Sequence, residues 1–423
     1  MVSTKCCIFA AVNKRNFFPN IILKFCSKPP CEGRLAFFGP LLKKMLLKFG
    51  GVGKKAYICS RTKTDIEFNT MDQNDYLKFS SNGKNVIGCQ RNYKKDVVIP
   101  NGVKKIGEGA FKNHLRITSI EIPNSVTEIE DDAFLGCKNL SSIKMSNNIK
   151  KIGRSAFEGC SRLTSIEIPK GIKEINWHLF KDCTSLTSIK IPDSVIRISN
   201  DAFGGCSSLI TIEIPNGVET LYDNAFCNCT SLTSIEIPNS VRMVYGAFRG
   251  CTSLASIRIP RSWRHIEPNT FENCTSLSSI VLPNGVTKIG YCAFKGCTSL
   301  VSIRIPSSVN KIEWNAFEGC TSLTSIKIPS SVKENYDCFL KGCNNLVEIH
   351  LRHKKPIYFT SAFDGRDLSD YPSDFYPTPL GYLSKVFDGL DLSKITLYVP
   401  LGSEYEYQQH PFYSKFAKIV SEK

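Results

Sequence analysis

The chain has 423 residues, of which 42% are hydrophobic, and it contains 54 Lys+Arg against 38 Asp+Glu. This composition is typical of a folded protein long enough for two or three domains, and it excludes wholesale disorder. No stretch approaches the roughly 18 consecutive apolar residues of a membrane-spanning helix, because lysines interrupt the most apolar segments, 17–25 and 41–49.

Residues 1–71 differ from the rest of the chain in charge and show no repeat. They contain 13 Lys+Arg and 3 Asp+Glu, a net charge of +10, so only 16 − 10 = +6 of the formal charge remains for the other 352 residues. Because the body of the protein is only mildly basic, binding of nucleic acid by charge attraction is not favoured. A nucleic-acid binder that uses the basic segment is kept as a third hypothesis.

The N-terminus is a poor match to a secretion signal. Residues 6–12 are seven apolar residues, but Lys14 and Arg15 follow almost at once, whereas a signal peptide needs a longer apolar core and a cleavage site. We therefore predict that residues 1–71 are a basic, non-repeat, disordered extension, or the product of translation upstream of a true start at Met71.

A β-hairpin is predicted before the repeats. Two apolar stretches, 76–79 and 86–89, flank Asn82-Gly83, a pair that favours a tight turn between two strands. Repeat proteins need caps because their terminal coils would otherwise expose the core. We therefore predict that residues 72–96 form an N-terminal cap.

Residues 97–351 repeat with a period of 23 residues. The unit is L-x-x-I-x-I-P-x-x-V-x-x-I-x-x-x-A-F-x-x-C, as at residues 186–206, and one irregular spacing of 22 residues separates Pro238 from Pro260. The recurring phenylalanines are Phe111, Phe134, Phe157, Phe180, Phe203, Phe226, Phe248, Phe271, Phe294 and Phe317, and a cysteine follows three residues after each from Phe134 onward.

This unit predicts a solenoid. It is too short to bury its own apolar residues, so successive units must stack and share one core. Ile189 and Ile191 alternate with Ser188 and Lys190, the pattern of a short strand with one buried face, and proline then ends the strand. We predict a repeat solenoid of the leucine-rich type, with a parallel β-sheet on its concave face and little regular helix.

The unit resembles that of the BspA-like leucine-rich repeat family, from residue 97 to about residue 349. The I-P strand exit, the A-F pair and the cysteine carry the resemblance. It implies a cell-surface or secreted protein of bacterial type, with an adhesive role. A cytoplasmic location is the alternative, since a clear export signal is missing.

Residues 352–423 are predicted to form a C-terminal coil with a short helical cap. A last strand, 395–399, ends at Pro400, and Ser403-x-x-Glu406 is a capping-box signature for the start of a helix.

No residue pattern predicts catalysis or a cofactor. The six histidines are scattered, without a metalloprotease motif or a Ser/His/Asp grouping, so no catalytic, cofactor-binding or metal-binding residue is assigned. One cysteine per 23 residues fits neither a zinc site nor, with parallel side chains, a disulfide. We predict buried, reduced thiols that act as small hydrophobes.

The strand residues that flank the first buried isoleucine are expected to point outward, onto the concave face. The preceding residue is nearly always Ser or Thr, and the following residue alternates in charge until Arg258, after which no acid occurs. A solvated face needs polar residues in any case, but stacked like charges repel. We therefore predict a partner-binding site at Arg258, Arg304, Lys327 and His350.

The expected function is non-enzymatic binding of another macromolecule, a protein or an acidic glycan. The alternative is an intracellular structural scaffold with no dedicated ligand site, which the missing export signal and the many thiols favour.

Overall fold

The computed structural model describes residues 7–11, 55–59, 76–90, 95–244, 246–335, 338–356, 387 and 389–423. The chain divides into two units, Met1–Leu77 and Lys78–Lys423. In the first, β1 (Cys7–Ala11) pairs antiparallel with β2 (Lys55–Cys59). The rest of residues 1–71 lies outside the described residues, so the predicted disorder of this segment stays a prediction.

A turn about Asn82-Gly83 lies near the start of the second unit. The strands β3 (Leu77–Phe79) and β4 (Asn85–Cys89) are neighbours in one sheet. Between them the amide of Gly83 donates to the carbonyl of Ser80 at 2.8 Å, and Gly83 has φ +66°. Ser80 and Asn85 close this loop with a backbone hydrogen bond at 2.9 Å, so the turn is longer than the two-residue turn that an Asn-Gly pair favours.

Most coils contribute a three- or four-residue strand to a first parallel sheet. Single parallel bridges at Glu167 and Glu236 link strands of this sheet where no longer strand forms. The strands are β5 (Asp96–Val98), β7 (Ser119–Glu121), β9 (Ser142–Lys144), β12 (Ser188–Lys190), β14 (Thr211–Glu213), β17 (Ser256–Arg258), β19 (Ser279–Val281), β21 (Ser302–Arg304), β23 (Ser325–Ile328) and β25 (Glu348–Leu351).

A two-residue strand at the isoleucine position that follows the regularly spaced valine of the unit, as at Ile198, builds a second parallel sheet, which we did not predict. Backbone hydrogen bonding divides this sheet into three sections, and the first section includes β3 and β4. The strands are β6 (Lys105–Ile106), β8 (Glu128–Ile129), β10 (Lys151–Ile152), β11 (Glu174–Ile175), β13 (Arg197–Ile198), β15 (Thr220–Leu221), β16 (Met243–Val244), β18 (His265–Ile266), β20 (Lys288–Ile289), β22 (Lys311–Ile312) and β24 (Glu334–Asn335).

The core between the two sheets is a set of stacked columns. The repeated Leu, Ile, Val, Ala and Cys side chains are buried, and so is the whole phenylalanine column from Phe111 to Phe317. Successive rings in that column have centroids 5.1 to 5.9 Å apart and planes within 17° of each other. The predicted solenoid with parallel sheets and little helix is confirmed.

The C-terminal end closes the first sheet. The strand β26 (Thr396–Pro400) pairs parallel with β25, and β27 (Lys418–Glu422) pairs parallel with β26. Between them lies the predicted short helix, α1 (Glu404–Gln409), but Ser403 makes no side-chain capping bond. The predicted capping bond from the Ser403 side chain is therefore wrong. The reason is that the backbone of Ser403 is helical (φ −99°, ψ −9°), whereas an N-cap residue is usually extended.

None of the described helices is long and apolar enough to cross a membrane.

Candidate partner-binding surface

The first sheet presents one column of side chains that follows the buried isoleucine of each strand. These strands show the predicted alternation, with a buried central residue and an exposed residue after it. We call the following residues the outer column: Glu121, Lys144, Glu167, Lys190, Glu213, Glu236, Arg258, Val281, Arg304 and Lys327.

Charges in the outer column alternate between neighbouring coils from Glu121 to Glu213, after which Glu236 places a second acid in register. Lys144 Nζ lies 2.7 Å from Glu121 Oε1, and Lys190 is in register between Glu167 and Glu213. Opposite charges on adjacent strands attract each other weakly in water. The charges in this part of the column therefore nearly cancel each other.

The second half of the outer column contains three cations, of which only Arg258 has an acid, Glu236, as a strand neighbour. Arg258 is in register with Val281, Val281 with Arg304, and Arg304 with Lys327. All four side chains are exposed, and no carboxylate of the described residues lies within 4.0 Å of the three cations. We call these four residues the cationic segment.

In the second sheet, by contrast, several lysines form ion pairs with glutamates of neighbouring coils. Lys105 Nζ lies 2.7 Å from Glu128 Oε2, and Lys151 Nζ lies 3.2 Å from the other oxygen of the same carboxylate. The hydrogen bond from Lys105 lowers the pKa of Glu128 below its ordinary value. Lys288 Nζ likewise lies 2.9 Å from Glu313 Oε1. The uncompensated charge is thus a property of the cationic segment and not of every stacked column.

His350 does not extend the cationic segment. Its side chain follows Lys327 in register, but it is only 7% exposed and stacks on Tyr398 with ring centroids 4.4 Å apart. Its Nδ1 lies 2.9 Å from Glu422 Oε1. The expectation that His350 faces solvent is wrong, because β27 folds against it from a point 72 residues later in the chain.

Arg261 is a surface cation that the sequence reasoning missed. Arg258 and Arg261 line the same open concavity, of ≈ 790 Å³, together with Asn239, Ser256 and Ser279. The available signal was the run I-R-I-P-R-S-W-R-H at residues 257–265, which places three arginines in one coil.

The buried thiols offer no nucleophile. Desolvation raises the pKa of Cys137 and of Cys206 to about 12, and a thiol reacts as its thiolate. The fourteen cysteines from Cys89 to Cys343 are free of disulfides. Among the described residues, no three His, Cys, Asp or Glu side chains lie close enough together to hold a metal ion.

Comparison with solved structures finds other leucine-rich repeat proteins. A leucine-rich cell surface protein from Faecalibacterium prausnitzii is 29% identical, with 66% of this chain and 93% of that chain covered and a TM-score of 0.45. A leucine-rich repeat protein from Bacteroides ovatus is 28% identical, with 65% and 92% covered and a TM-score of 0.42. A search of the curated proteins found no match.

The pneumococcal vaccine antigen PcpA is similar in fold. It is 20% identical, with 80% of this chain and 92% of that chain covered and a TM-score of 0.52. At this identity the similarity concerns the solenoid alone.

A family model decides the classification. The model of the BspA type leucine-rich repeat region matches in six copies, within residues 89–209, 173–282 and 264–373. These segments span more than half of the 423 residues and contain most of the stacked coils. The chain therefore belongs to the BspA-type leucine-rich repeat family.

Proposed function

We propose that this protein is a non-enzymatic binding protein that holds another macromolecule, a protein or an acidic glycan, against the exposed face of its first sheet. The binding residues are Arg258, Arg304 and Lys327 of the cationic segment, and the partner is acidic. Binding by surface residues on a rigid repeat scaffold is a common use of such stacked folds.

One observation carries this proposal. The three cations are stacked on adjacent or next-but-one strands without a carboxylate of the described residues within 4.0 Å, whereas lysines of the second sheet share glutamates. Repulsion among stacked like charges gives a structural sheet no benefit. An anionic partner would relieve it and would be steered to the surface at long range.

The family resemblance supports an adhesive role at a cell surface. The alternative, an intracellular scaffold, is favoured by a different observation, because the cysteines from Cys89 to Cys343 are free and free thiols persist best in reducing compartments. Burial also protects a thiol from oxidation, which weakens this argument for the ten cysteines of the core.

A paired charge reversal tests the proposal. The double variant Arg304→Glu with Lys327→Glu is compared with the wild type for retention on immobilised heparin and on immobilised acidic proteins over a range of salt. The matched control is Lys144→Glu with Lys190→Glu, two cations of the same outer column whose strand neighbours are acids. Retention on at least one ligand should fall for the first variant and change little for the control. Unchanged retention, or an equal loss in both variants, contradicts a site on the cationic segment.

A further inference from the structure

Two arginines of one coil converge on a single concavity of the first sheet. Arg258, at the end of β17, and Arg261, directly after the proline, both line it and are both exposed. No carboxylate of the described residues lies within 4.0 Å of either guanidinium. Glu236 lies on the strand next to Arg258 but makes no ion pair with it. Two guanidinium groups that share one concavity can bind an anion together.

The neighbouring polar groups of this concavity are hydrogen-bond donors. Asn239 occupies the position of Arg261 in the preceding coil, and its Oδ1 accepts a hydrogen bond from the backbone amide of Arg261 at 3.3 Å. The Nδ2 of the same side chain is a hydrogen-bond donor. The hydroxyls of Ser256 and Ser279 also line the concavity, and a hydroxyl donates or accepts as its partner requires.

We propose that this concavity binds a sulfate or carboxylate group of an acidic glycan, held by Arg258 and Arg261. The proposal rests on the function proposed above and specifies its ligand class. Each guanidinium presents a planar fork of N–H groups that matches two oxygens of such an anion. Asn239 and the two serines donate to further oxygens of the same sugar unit.

The lining favours a glycan over a protein. Hot spots of protein interfaces are enriched in Trp, Tyr and Arg, and they lie in well-packed, desolvated pockets that aromatic side chains fill. Among the apolar residues that line the concavity, Val281 is exposed and Pro283 half-buried, whereas Ile257, Ile259 and Ile280 are buried in the core. A hydrated, hydroxyl-rich chain needs polar partners and no apolar pocket.

The spacing of the cations suits a chain with repeated charges. Successive coils of a parallel sheet lie about 4.8 Å apart, and Arg258 and Arg304 are separated by the single strand of Val281. Their columns are thus about 10 Å apart. A linear glycan with an acidic group in each repeating unit would contact the concavity and then Arg304.

Calorimetric titration with size-defined heparin oligosaccharides tests this ligand class. The test variant is Arg258→Gln with Arg261→Gln. The matched control is Lys190→Gln with Lys170→Gln, which removes one cation from the outer column and one from the position after a proline in earlier coils. We expect the test variant to bind at least about tenfold more weakly and the control to change affinity less than about twofold. All four side chains are exposed, so thermal unfolding should be the same in each protein.

A polyglutamate peptide, titrated in parallel, separates the ligand classes. Tighter binding of the peptide than of the oligosaccharide, with loss in the test variant, overturns the glycan assignment and leaves the proposed function standing. An equal loss in test and control variants shows general charge attraction and overturns the site. If neither probe binds the wild type, the inference fails, and retention of the Arg304→Glu, Lys327→Glu variant on other acidic ligands decides the proposed function separately.

Discussion

At the scale of single residues, the repeated cysteine has a specific contact that explains its place in the coil. Each thiol donates a weak hydrogen bond to the carbonyl oxygen of the phenylalanine of the preceding coil, as Cys206 does to Phe180 at 3.1 Å. Across the ten coils the sulfur–oxygen distances are 3.0 to 3.4 Å. Alanine would leave these buried carbonyls without this partner, which costs free energy.

The protein should lose stability steeply above about pH 9. Burial raises the pKa of the Cys137, Cys206 and Cys343 thiols from 9.0 to about 12. Between these values the unfolded chain releases thiol protons that the folded chain keeps, so the free energy of unfolding falls as pH rises. Each such thiol contributes up to about 1.4 kcal/mol per pH unit. Urea unfolding at pH 8, 9 and 10 measures the effect, and a midpoint that stays constant to pH 10 would contradict the burial of the thiols.

The phenylalanine column should be a main source of stability. Phe203 is fully buried and stacks on the rings of both neighbouring coils, at 5.5 and 5.3 Å. We expect Phe203→Ala to cost about 3 to 5 kcal/mol. The control, Ser188→Ala on the exposed sheet face, should change stability by less than about 0.5 kcal/mol. Similar unfolding midpoints for the two variants would show that inside and outside have been assigned wrongly.

At the scale of the elements, side-chain hydrogen bonds join the turns of successive coils. The hydroxyl of Thr252 donates to the carbonyl of Thr230 at 3.3 Å, and that of Thr275 donates to the carbonyl of Thr252 at 3.2 Å. These residues directly follow the core cysteines. In sequence they are only a polar dipeptide after each cysteine, and their partners become visible only once the register between coils is known.

The turn before each core cysteine needs a left-handed backbone. Gly205 has φ +73°, and a Cβ there would collide with Oδ1 of Asp182 in the preceding coil. We expect Gly205→Ala to destabilise by at least about 1 to 2 kcal/mol. Gly171 is the control, since its φ is not in this region and the nearest atom to an added Cβ is Ile149 O at 3.6 Å. Thermal unfolding should show Gly171→Ala close to the wild type, and equal losses would refute the turn geometry.

The second sheet was missed for a physical reason. Its strands are two residues long, as at Arg197–Ile198, and a period of two cannot be recognised in two residues. The first sheet was recognisable because Ile189 and Ile191 alternate with polar residues and a proline ends the strand. Repetition then fixed the core columns, since every coil repeats the same contacts.

At the scale of the whole molecule, the repeats are predictable from sequence and the ends are less so. A coil contacts mainly its neighbours, about 23 residues away, so a periodic pattern specifies the solenoid. The burial of His350 depends on Glu422, 72 residues later, and no repeat signals such a contact. Arg261 was missed for a similar reason. That it shares a concavity with Arg258 depends on how the coil bends after the proline, and the sequence separation of the two residues does not show it.

Residues 1–70 should be dispensable for folding of the solenoid. The sheets of the repeat region contain no described strand from before Leu77, and β1 and β2 pair only with each other. We therefore expect limited trypsin digestion to leave a stable fragment that begins near residue 72. Protection of Lys43, Lys54 or Arg61 in the native protein would contradict this division of the chain.

Arginine-specific labelling, read by mass spectrometry, tests most directly the claim that the cationic half of the first sheet is the binding surface. Phenylglyoxal is applied to the protein alone and with saturating heparin oligosaccharide. The account predicts that labelling falls at Arg258, Arg261 and Arg304 while Arg197 and Arg242, exposed outside this face, keep their reactivity. Equal shielding of all five arginines, or shielding confined to Arg197 and Arg242, would contradict it.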